Sequence, residues 1–213
     1  MRAIYGKKLI MTRLFDEKGR YVPVTVVEVA ENTVTQVKKV EKDGYEAVQF
    51  GSGSKKHLNK PQTGHLAPSK TKSAKLFEVK TPTESKVGDK MHLDILAEGE
   101  KVNVTATSKG KGFQGTVKRH NFNTGPRTHG SNNYRQPGSI GAQQPQRVVK
   151  GKRMGGHMGA KQVTTKNLIV YKIDKKNNRL YLKGAVPGAN RSGVLIWSLK
   201  DIGKEVAEVT NEA

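Results

Sequence analysis

The residues of this chain that could do chemistry are few, and they lack the partners that such chemistry requires. Gly110, Gly112 and Gly115 follow a predicted strand and match the G-x-G-x-x-G pattern that holds a dinucleotide pyrophosphate. The next residues, TVKRHNFNTGP, predict a break rather than a helix, and no acidic residue lies about 20 positions further on to bind a ribose. We therefore interpret these glycines as positions where the backbone bends and makes close approaches.

The histidines do not form part of a recognisable metal site or acid–base pair. His120, His129 and His157 have no Cys, Asp or Glu nearby and lie among cations that would repel a metal ion. General acid–base catalysis needs a carboxylate or a tuned histidine with an orienting partner, and this region has neither. The chain has no Cys, which excludes disulfides, zinc ribbons and thiol catalysis. The sequence predicts no enzyme, no metal, no cofactor and no small-molecule substrate.

Positive charge is what these residues share. The 213 residues include 39 Lys and Arg against 18 Asp and Glu, a formal net charge of +21. Residues 101–173 contain 14 of the basic residues and no Asp or Glu, so one third of the chain carries two thirds of the net charge. A self-sufficient domain usually intersperses both signs, because like charges repel. The pattern indicates that a polyanion supplies the missing negative charge.

Composition also limits how much of the chain can fold on its own. Hydrophobic residues make up 34% and aromatic residues 6%, which is too little to bury every segment of a chain of this length. No apolar run approaches the ~20 residues of a membrane span, and no signal peptide opens the chain. We expect a soluble, cytoplasmic protein with no membrane partner.

Outside the acid-free stretch the sequence predicts short β-strands. Residues 20–30 alternate and are rich in Val and Thr, as a half-buried strand is. Further strands are predicted near 9–15, 33–40, 45–50, 76–80, 91–97, 101–107, 163–173, 180–186 and 194–199, with a hairpin across Asp43-Gly44. Many short strands joined by turns favour a small barrel or sandwich. Residues 51–75 are interpreted as a polar, Lys-rich loop with room for a short helix, and 201–213 as an acidic tail.

Between residues 118 and 162 neither the strand nor the helix period is present. Seven sizeable apolar residues are scattered over 45 positions that Gly and Pro repeatedly interrupt. A loop this long inside a compact domain is functional or disordered. Disorder is one interpretation; the scattered aromatic and Met side chains favour the other, a loop threaded into folded nucleic acid.

Eight blocks of sequence stand in order over nearly the whole chain, from about residue 5 to 197. They are YGKKLIMTR at 5–13, PVTVVE at 23–28, VTQVK at 34–38, TSKGKGFQGTVKR at 107–119, THG at 128–130, PGSIG at 137–141, KGKRM at 150–154 and KGAVPG at 183–188. Together these blocks resemble the family of bacterial ribosomal large-subunit protein three. Residues 51–75 and the tail after Trp197 are particular to this chain.

The resemblance implies a mainly β fold, a closed six-stranded barrel like that of elongation factors with a long irregular basic extension inserted between strands. It places the barrel domain in residues 1–108 and 163–200, the extension in 109–162 and the tail in 201–213. It implies a structural constituent of the ribosome that binds large-subunit (23S) rRNA near its 3′ end, nucleates assembly and reaches toward the peptidyl-transferase centre. Neighbouring large-subunit proteins are implied partners, and Gln144 matches a glutamine that some bacteria methylate.

The candidate RNA-binding residues are cations, histidines and one tyrosine. They are Lys7, Lys8, Arg13, Lys109, Lys111, Lys118, Arg119, His120, Arg127, His129, Tyr134, Arg135, Arg147, Lys150, Lys152, Arg153, His157 and Lys161. Arginine can fork to phosphate oxygens or stack on bases, and recognition of RNA shape is expected because the major groove of an RNA duplex is too narrow to read. For Lys7, Lys8 and Arg13, a solvated barrel edge is an equally good interpretation.

Two alternatives from other classes stay open. A nucleoid-type protein that binds DNA without sequence preference would explain the charge but not a Gly-rich loop inserted into a barrel; a dimerising helical core would favour it. A nucleotide-dependent enzyme would use the glycine-rich loop at 110–115, and nucleotide titration in a calorimeter would separate it from both binding proteins.

Overall fold

The computed structural model describes residues 2–80 and 85–198. The chain divides into two compact units, Met1–Thr107 with Gln162–Ala213, and Ser108–Lys161. We call the first the barrel unit and the second the basic arm. The segment 201–213, predicted to be an acidic tail, lies outside the described residues.

The described residues are mostly β-strand. The strands are β1 (Arg2–Phe15), β2 (Tyr21–Glu28), β3 (Asn32–Lys38), β4 (Ala47–Ser54), β5 (Ser73–Val79), β6 (Lys90–Met91), β7 (Lys101–Thr107), β8 (Phe113–Gln114), β9 (Gly156–His157), β10 (Gln162–Asp174), β11 (Arg179–Lys183) and β12 (Gly193–Ser198). The helices are α1 (Val40–Asp43), α2 (Lys60–Leu66) and α3 (Thr116–His120), with 3-10 turns at Ala67–Ser69 and Leu93–Ile95.

Six antiparallel strands form a closed barrel in the order β1-β12-β7-β10-β11-β2, which confirms the predicted fold class. Closure occurs because the long strand β1 pairs with β12 through its first half and with β2 through its second. The barrel is filled by alternate residues of each strand, among them the fully buried Ile4, Val104, Leu180, Leu182 and Ile196. A closed barrel has no free strand edge, so the unit can fold without a partner strand.

A second sheet, in the order β5-β4-β3-β6, is inserted between β2 and β7. Its own core includes Val34, Val48 and Phe50. Leu195 and Trp197 of β12 pack against this second core, whereas Ile196 between them faces the barrel interior. Strand β12 therefore contributes to two cores at once, because successive side chains of a strand point to opposite faces.

Several strand predictions need correction. Residues 91–97 do not form a strand: β6 ends at Met91, and a 3-10 turn over Leu93–Ile95 buries Leu93 and Leu96 in the barrel core. Two apolar residues three apart lie on one side of such a turn. Both ends of the predicted 51–75 loop are strand, because β4 ends at Ser54 and β5 begins at Ser73.

The predicted turns and remaining strands agree more closely. β3 and β4 pair as the hairpin prediction requires, with α1 in the connection and Gly44 in the left-handed region at φ 79. The expected helix within 51–75 is α2.

Two other expectations are wrong in part. The break predicted after the glycine-rich block does not occur over five residues, because α3 (Thr116–His120) forms there. β1 also starts at Arg2, well before residue 9.

An ion pair on the second sheet has a predictable pH dependence. The Lys38 ammonium lies 2.7 Å from Glu78 Oε2 and donates to the Tyr45 hydroxyl at 2.6 Å. The hydrogen bond to Glu78, supported by that to Tyr45, raises the pKa of Lys38, and the hydrogen bond from Lys38 lowers the pKa of Glu78. The pair therefore stabilises the fold above the ordinary pKa of Glu and below that of Lys, and the stabilisation is lost as the pH falls through the lowered pKa of Glu78.

Replacing Glu78 with Gln is expected to lower the melting temperature at pH 7. The difference between the two proteins should shrink as the pH falls through the lowered pKa of Glu78, because protonated Glu78 has no charge either. Melting curves of the two proteins between pH 3 and pH 8 measure this. An equal difference at both ends of the range would mean that charge is not what Glu78 contributes.

Candidate nucleic-acid interface

The basic arm (Ser108–Lys161) has no hydrophobic core of its own. It contains 11 Lys and Arg and no Asp or Glu, and Thr116 is its one buried residue. Ile140, Val148 and Val149 are exposed. Because apolar burial is the main force that stabilises folded chains, the arm must be held by hydrogen bonds and by whatever it binds.

Backbone hydrogen bonds hold the two sides of the arm together near its start and end. Ser108 N–H donates to Lys161 O at 2.8 Å, Lys111 N–H to Met158 O at 2.9 Å, and Met158 N–H to Gly112 O at 2.9 Å. β8 and β9 then pair as a two-stranded ribbon. A Cβ at Gly159 would overlap the carbonyl oxygen of Lys109, and its φ is +77. Glycine is thus required where the arm approaches itself.

Helix α3 presents two of the predicted RNA-binding residues to the arm's own backbone. Arg119 Nη1 donates to Met154 O at 2.7 Å, and His120 Nε2 lies 3.0 Å from the same oxygen. Both side chains are half-buried. A Cβ at Gly156 would come within 2.6 Å of Arg119 Nη1. Arg119 and His120 therefore stabilise the conformation of the arm. Because Arg119 Nη1 donates to Met154 O, only the remaining N–H groups of the guanidinium are available to an external ligand.

The other cations of the arm are exposed and carry uncompensated charge. They are Lys109, Lys111, Lys118, Arg127, Arg135, Arg147, Lys150, Lys152, Arg153 and Lys161, together with the exposed histidines His129 and His157. Within the described residues none of them forms an ion pair. The mutual repulsion of ten unpaired cations is unfavourable unless anions are bound.

One arginine of the arm is already oriented by an aromatic ring. Arg127 Nε donates to the Tyr134 hydroxyl at 2.6 Å, and the guanidinium lies 4.8 Å from the centre of the Tyr134 ring. Gly125 N–H donates to Tyr134 O at 2.8 Å, which fixes the two segments side by side. A guanidinium stacked on one face keeps its other face and its terminal N–H groups for a base or a phosphate.

Of the three barrel residues predicted to contact RNA, Lys8 is buried, so the prediction of an exposed side chain is wrong for this residue. It is 6% exposed, and its ammonium donates to the carbonyl oxygens of Val186 at 2.7 Å and Gly188 at 3.2 Å. Lys8 is therefore a buried structural link and is not available to RNA. Lys7 and Arg13 are exposed, and the Arg13 guanidinium lies 4.7 Å from the centre of the Tyr21 ring.

Phe113 is an exposed aromatic residue that the sequence prediction did not include among the candidate RNA-binding residues. Its side chain is 79% exposed in β8, among the unpaired cations of the arm. Base stacking on an exposed aromatic ring in a basic surface is a common mode of single-strand binding. The available signal was an aromatic residue inside a glycine-rich, acid-free block, where too few apolar neighbours exist to bury it.

The part of the chain that the structure describes offers neither a metal site nor a membrane-spanning helix. It contains no group of three or more His, Cys, Asp or Glu placed to hold a metal ion. None of its helices is long and apolar enough to cross a membrane. Gln144, the residue matched to a methylated glutamine, is exposed.

A closed β-barrel unit and an acid-free arm without a core define a class of proteins that carry a long basic extension. Comparison with known proteins identifies the family. The model of the family described as Ribosomal protein L3 matches residues 29–187. The chain is 49% identical over 199 residues to large ribosomal subunit protein uL3 of Exiguobacterium sibiricum, which covers 92% of this chain and 96% of the relative.

Other curated relatives agree with this match. The uL3 protein of Aliivibrio fischeri is 48% identical over 203 residues, and that of Shouchella clausii is 46% identical over 200; each alignment covers 92% of this chain and 97% of the relative. The chain therefore belongs to the ribosomal protein L3 family, and the resemblance noted in its sequence is confirmed. This is a family of ribosomal structural proteins and not of enzymes.

Proposed function

We propose that this protein is a structural constituent of the large ribosomal subunit that binds 23S rRNA near its 3′ end and nucleates assembly of the subunit. In the cytoplasm its partners are that RNA and neighbouring large-subunit proteins, and its basic arm reaches toward the peptidyl-transferase centre. The observation that carries the proposal is the arm itself, in which ten exposed cations have no acidic partner among the described residues and almost nothing is buried. The names of the relatives support the choice of ribosome.

The proposed mechanism is electrostatic and steric. Lys and Arg of the arm replace the counterions around RNA phosphates, which releases those ions and favours binding. Arginine adds bidentate hydrogen bonds, and Phe113 and the Arg127–Tyr134 pair offer flat surfaces to unpaired bases. The remaining sites, Lys7 and Arg13, make a second contact from the barrel unit. Gln144 is accessible to a methyltransferase before the arm is covered.

The two alternatives from other classes find less support. A nucleoid-type DNA-binding protein would use a dimerising helical core, but the helices of the described residues span only four, seven and five residues. A nucleotide-binding loop would lead into a helix that receives the pyrophosphate at its N-terminus. Here the glycine-rich block leads into the five-residue α3, whose last turn is basic.

Photocrosslinking from within the arm tests the proposal. A photoreactive amino acid at Arg135 or Val148 is expected to crosslink to large-subunit RNA, because both positions are exposed in the region 119–158. The protein is expected to co-sediment with large subunits on a sucrose gradient. The control carries the same amino acid at Lys42, an exposed position on α1. Crosslinks to DNA, or absence from the subunit fractions, would contradict the proposal.

A further inference from the structure

We propose that the barrel unit carries a second RNA-binding surface, a lysine-lined groove along the second sheet that binds the phosphate backbone of RNA independently of the basic arm. This inference rests on the proposed function in taking RNA as the partner, but it concerns residues outside the arm. Residues 51–75, which the sequence prediction treated as a loop of unassigned role, provide most of the surface.

The groove is made of three adjoining depressions. The central one, about 520 Å³, lies between Gly53 and the strip Lys70-Thr71-Lys72. That strip also lines a second depression of about 460 Å³, which Lys56 borders. At the other end Gly53 and Ser54 are shared with a third, of about 320 Å³, which Lys7, Lys75 and Arg191 border. The three depressions thus adjoin one another through shared lining residues.

Charge along the groove is strongly one-sided. Residues 47–77 contain six Lys and no Asp or Glu, and all six lysines are exposed. Within the described residues none of these lysines forms an ion pair. The acidic residues of the walls are Glu28 and Glu31; Glu31 is neutralised by Lys90 at 2.8 Å. The groove therefore shares with the basic arm the excess of cations that indicates a polyanion.

Hydrogen bonds fix the backbone that carries the lysines of the groove. Hydroxyl groups of Ser73, Thr71 and Ser69 form a chain of hydrogen bonds at 3.2 and 2.9 Å, which ends on the carbonyl of Leu66 at 3.0 Å. Lys55 N–H donates to Lys72 O at 2.9 Å, extending the ladder that joins β4 and β5. A fixed backbone lowers the conformational entropy that binding would otherwise cost.

The wall opposite this strip is shaped by glycine. A Cβ at Gly51 would overlap the Ser73 hydroxyl, and Gly53 has φ +70, which favours glycine. The glycine at position 51 makes room for the Ser73 hydroxyl, and the exposed Gly53 presents no side chain to a phosphate that approaches the neighbouring ammonium groups.

An RNA backbone fits this surface better than a protein does. Cores of protein interfaces are enriched in aromatic residues and depleted of Lys. Six lysines and Arg191 border the groove, and among the described residues that line the three depressions Tyr5, at the far end, is the one Phe, Trp or Tyr. Ammonium, hydroxyl and backbone N–H groups are the groups that contact phosphate oxygens in protein–nucleic acid complexes.

The test uses the full-length protein and a 23S rRNA transcript. The groove variant carries Lys56→Gln, Lys70→Gln and Lys72→Gln; the matched control carries Lys18→Gln, Lys42→Gln and Lys176→Gln, three exposed lysines outside the groove. Both lose three charges. The groove variant is expected to bind about tenfold more weakly, with the slope of log K against log [salt] reduced by about 2 to 3, while the control changes little.

The same three groove substitutions are then added to a variant that lacks the arm's cations at 147, 150, 152 and 153. A further loss of slope is expected, because the two surfaces act independently. Groove and control variants with equal slopes would overturn this inference and leave the proposed function standing. Normal RNA binding with failure to enter large subunits would also overturn it, in favour of a protein partner. An unsubstituted protein that does not bind the transcript would overturn both.

Discussion

Replacing Arg147, Lys150, Lys152 and Arg153 together with Ala is expected to weaken binding to 23S rRNA by at least about a hundredfold at physiological salt. All four side chains are exposed on the basic arm and have no ion-pair partner in the described chain. Each phosphate contact contributes ~0.7–0.9 to the salt slope, so the loss of four reduces the slope of log K against log [salt] by about 3. Filter binding or fluorescence anisotropy between 50 and 300 mM salt measures this.

The matched control removes four exposed lysines of the barrel unit that lie outside the proposed contacts, Lys18, Lys39, Lys42 and Lys176. It changes the net charge equally, so any difference between the variants reports position and not total charge. The melting temperature of the arm variant should stay the same, since nothing is buried around the four residues. An unchanged salt slope would refute phosphate contact by this part of the arm.

Replacing Lys8 with Ala is expected to destabilise the barrel unit by about 2–4 kcal/mol. The substitution removes the donor that satisfies the carbonyl groups of Val186 and Gly188, and it leaves a cavity where the buried aliphatic stem lay. Urea unfolding with the midpoint and slope fitted together measures the change.

Two companion variants separate the causes. Lys8→Met restores most of the packing but not the hydrogen bonds, so its loss of stability should fall between those of the unsubstituted protein and Lys8→Ala. Lys7→Ala, one position earlier and exposed, should change the free energy of unfolding by less than about 0.5 kcal/mol. If Lys8→Ala lost RNA affinity with unchanged stability, the residue would be a ligand contact and its structural assignment would be wrong.

The strands with clear alternation were the most predictable part of the fold. Residues 20–30 were predicted as a strand from their alternation, and β2 (Tyr21–Glu28) forms there. Residues 101–107 were also predicted as a strand, and Val102, Val104 and Ala106 of β7 line the barrel. The strand predicted at residues 91–97 was wrong, because Leu93 and Leu96 reach the core from a 3-10 turn. A short apolar pattern indicates which residues are buried, but it does not indicate whether a strand or a helical turn buries them.

The candidate interface was predictable where it depended on charge and not where it depended on distant contacts. The acid-free stretch located Arg147 and its neighbours, and they are exposed. Lys8 could not be recognised as buried, because its acceptors lie 178 and 180 residues away in sequence. Arg119 likewise contacts Met154, 35 positions further on. Long-range hydrogen bonds of this kind leave no local sequence signature.

The pairing of β7 with β10 has an evolutionary consequence. Thr107 and Gln162, the residues on either side of the basic arm, are register partners in adjacent barrel strands. The pairing of β7 with β10 is therefore complete without any of the 54 residues of the arm. A longer or shorter arm would leave the register of these two strands unchanged. Lineages can remodel the basic arm by insertion and deletion while the barrel strands keep their pairing.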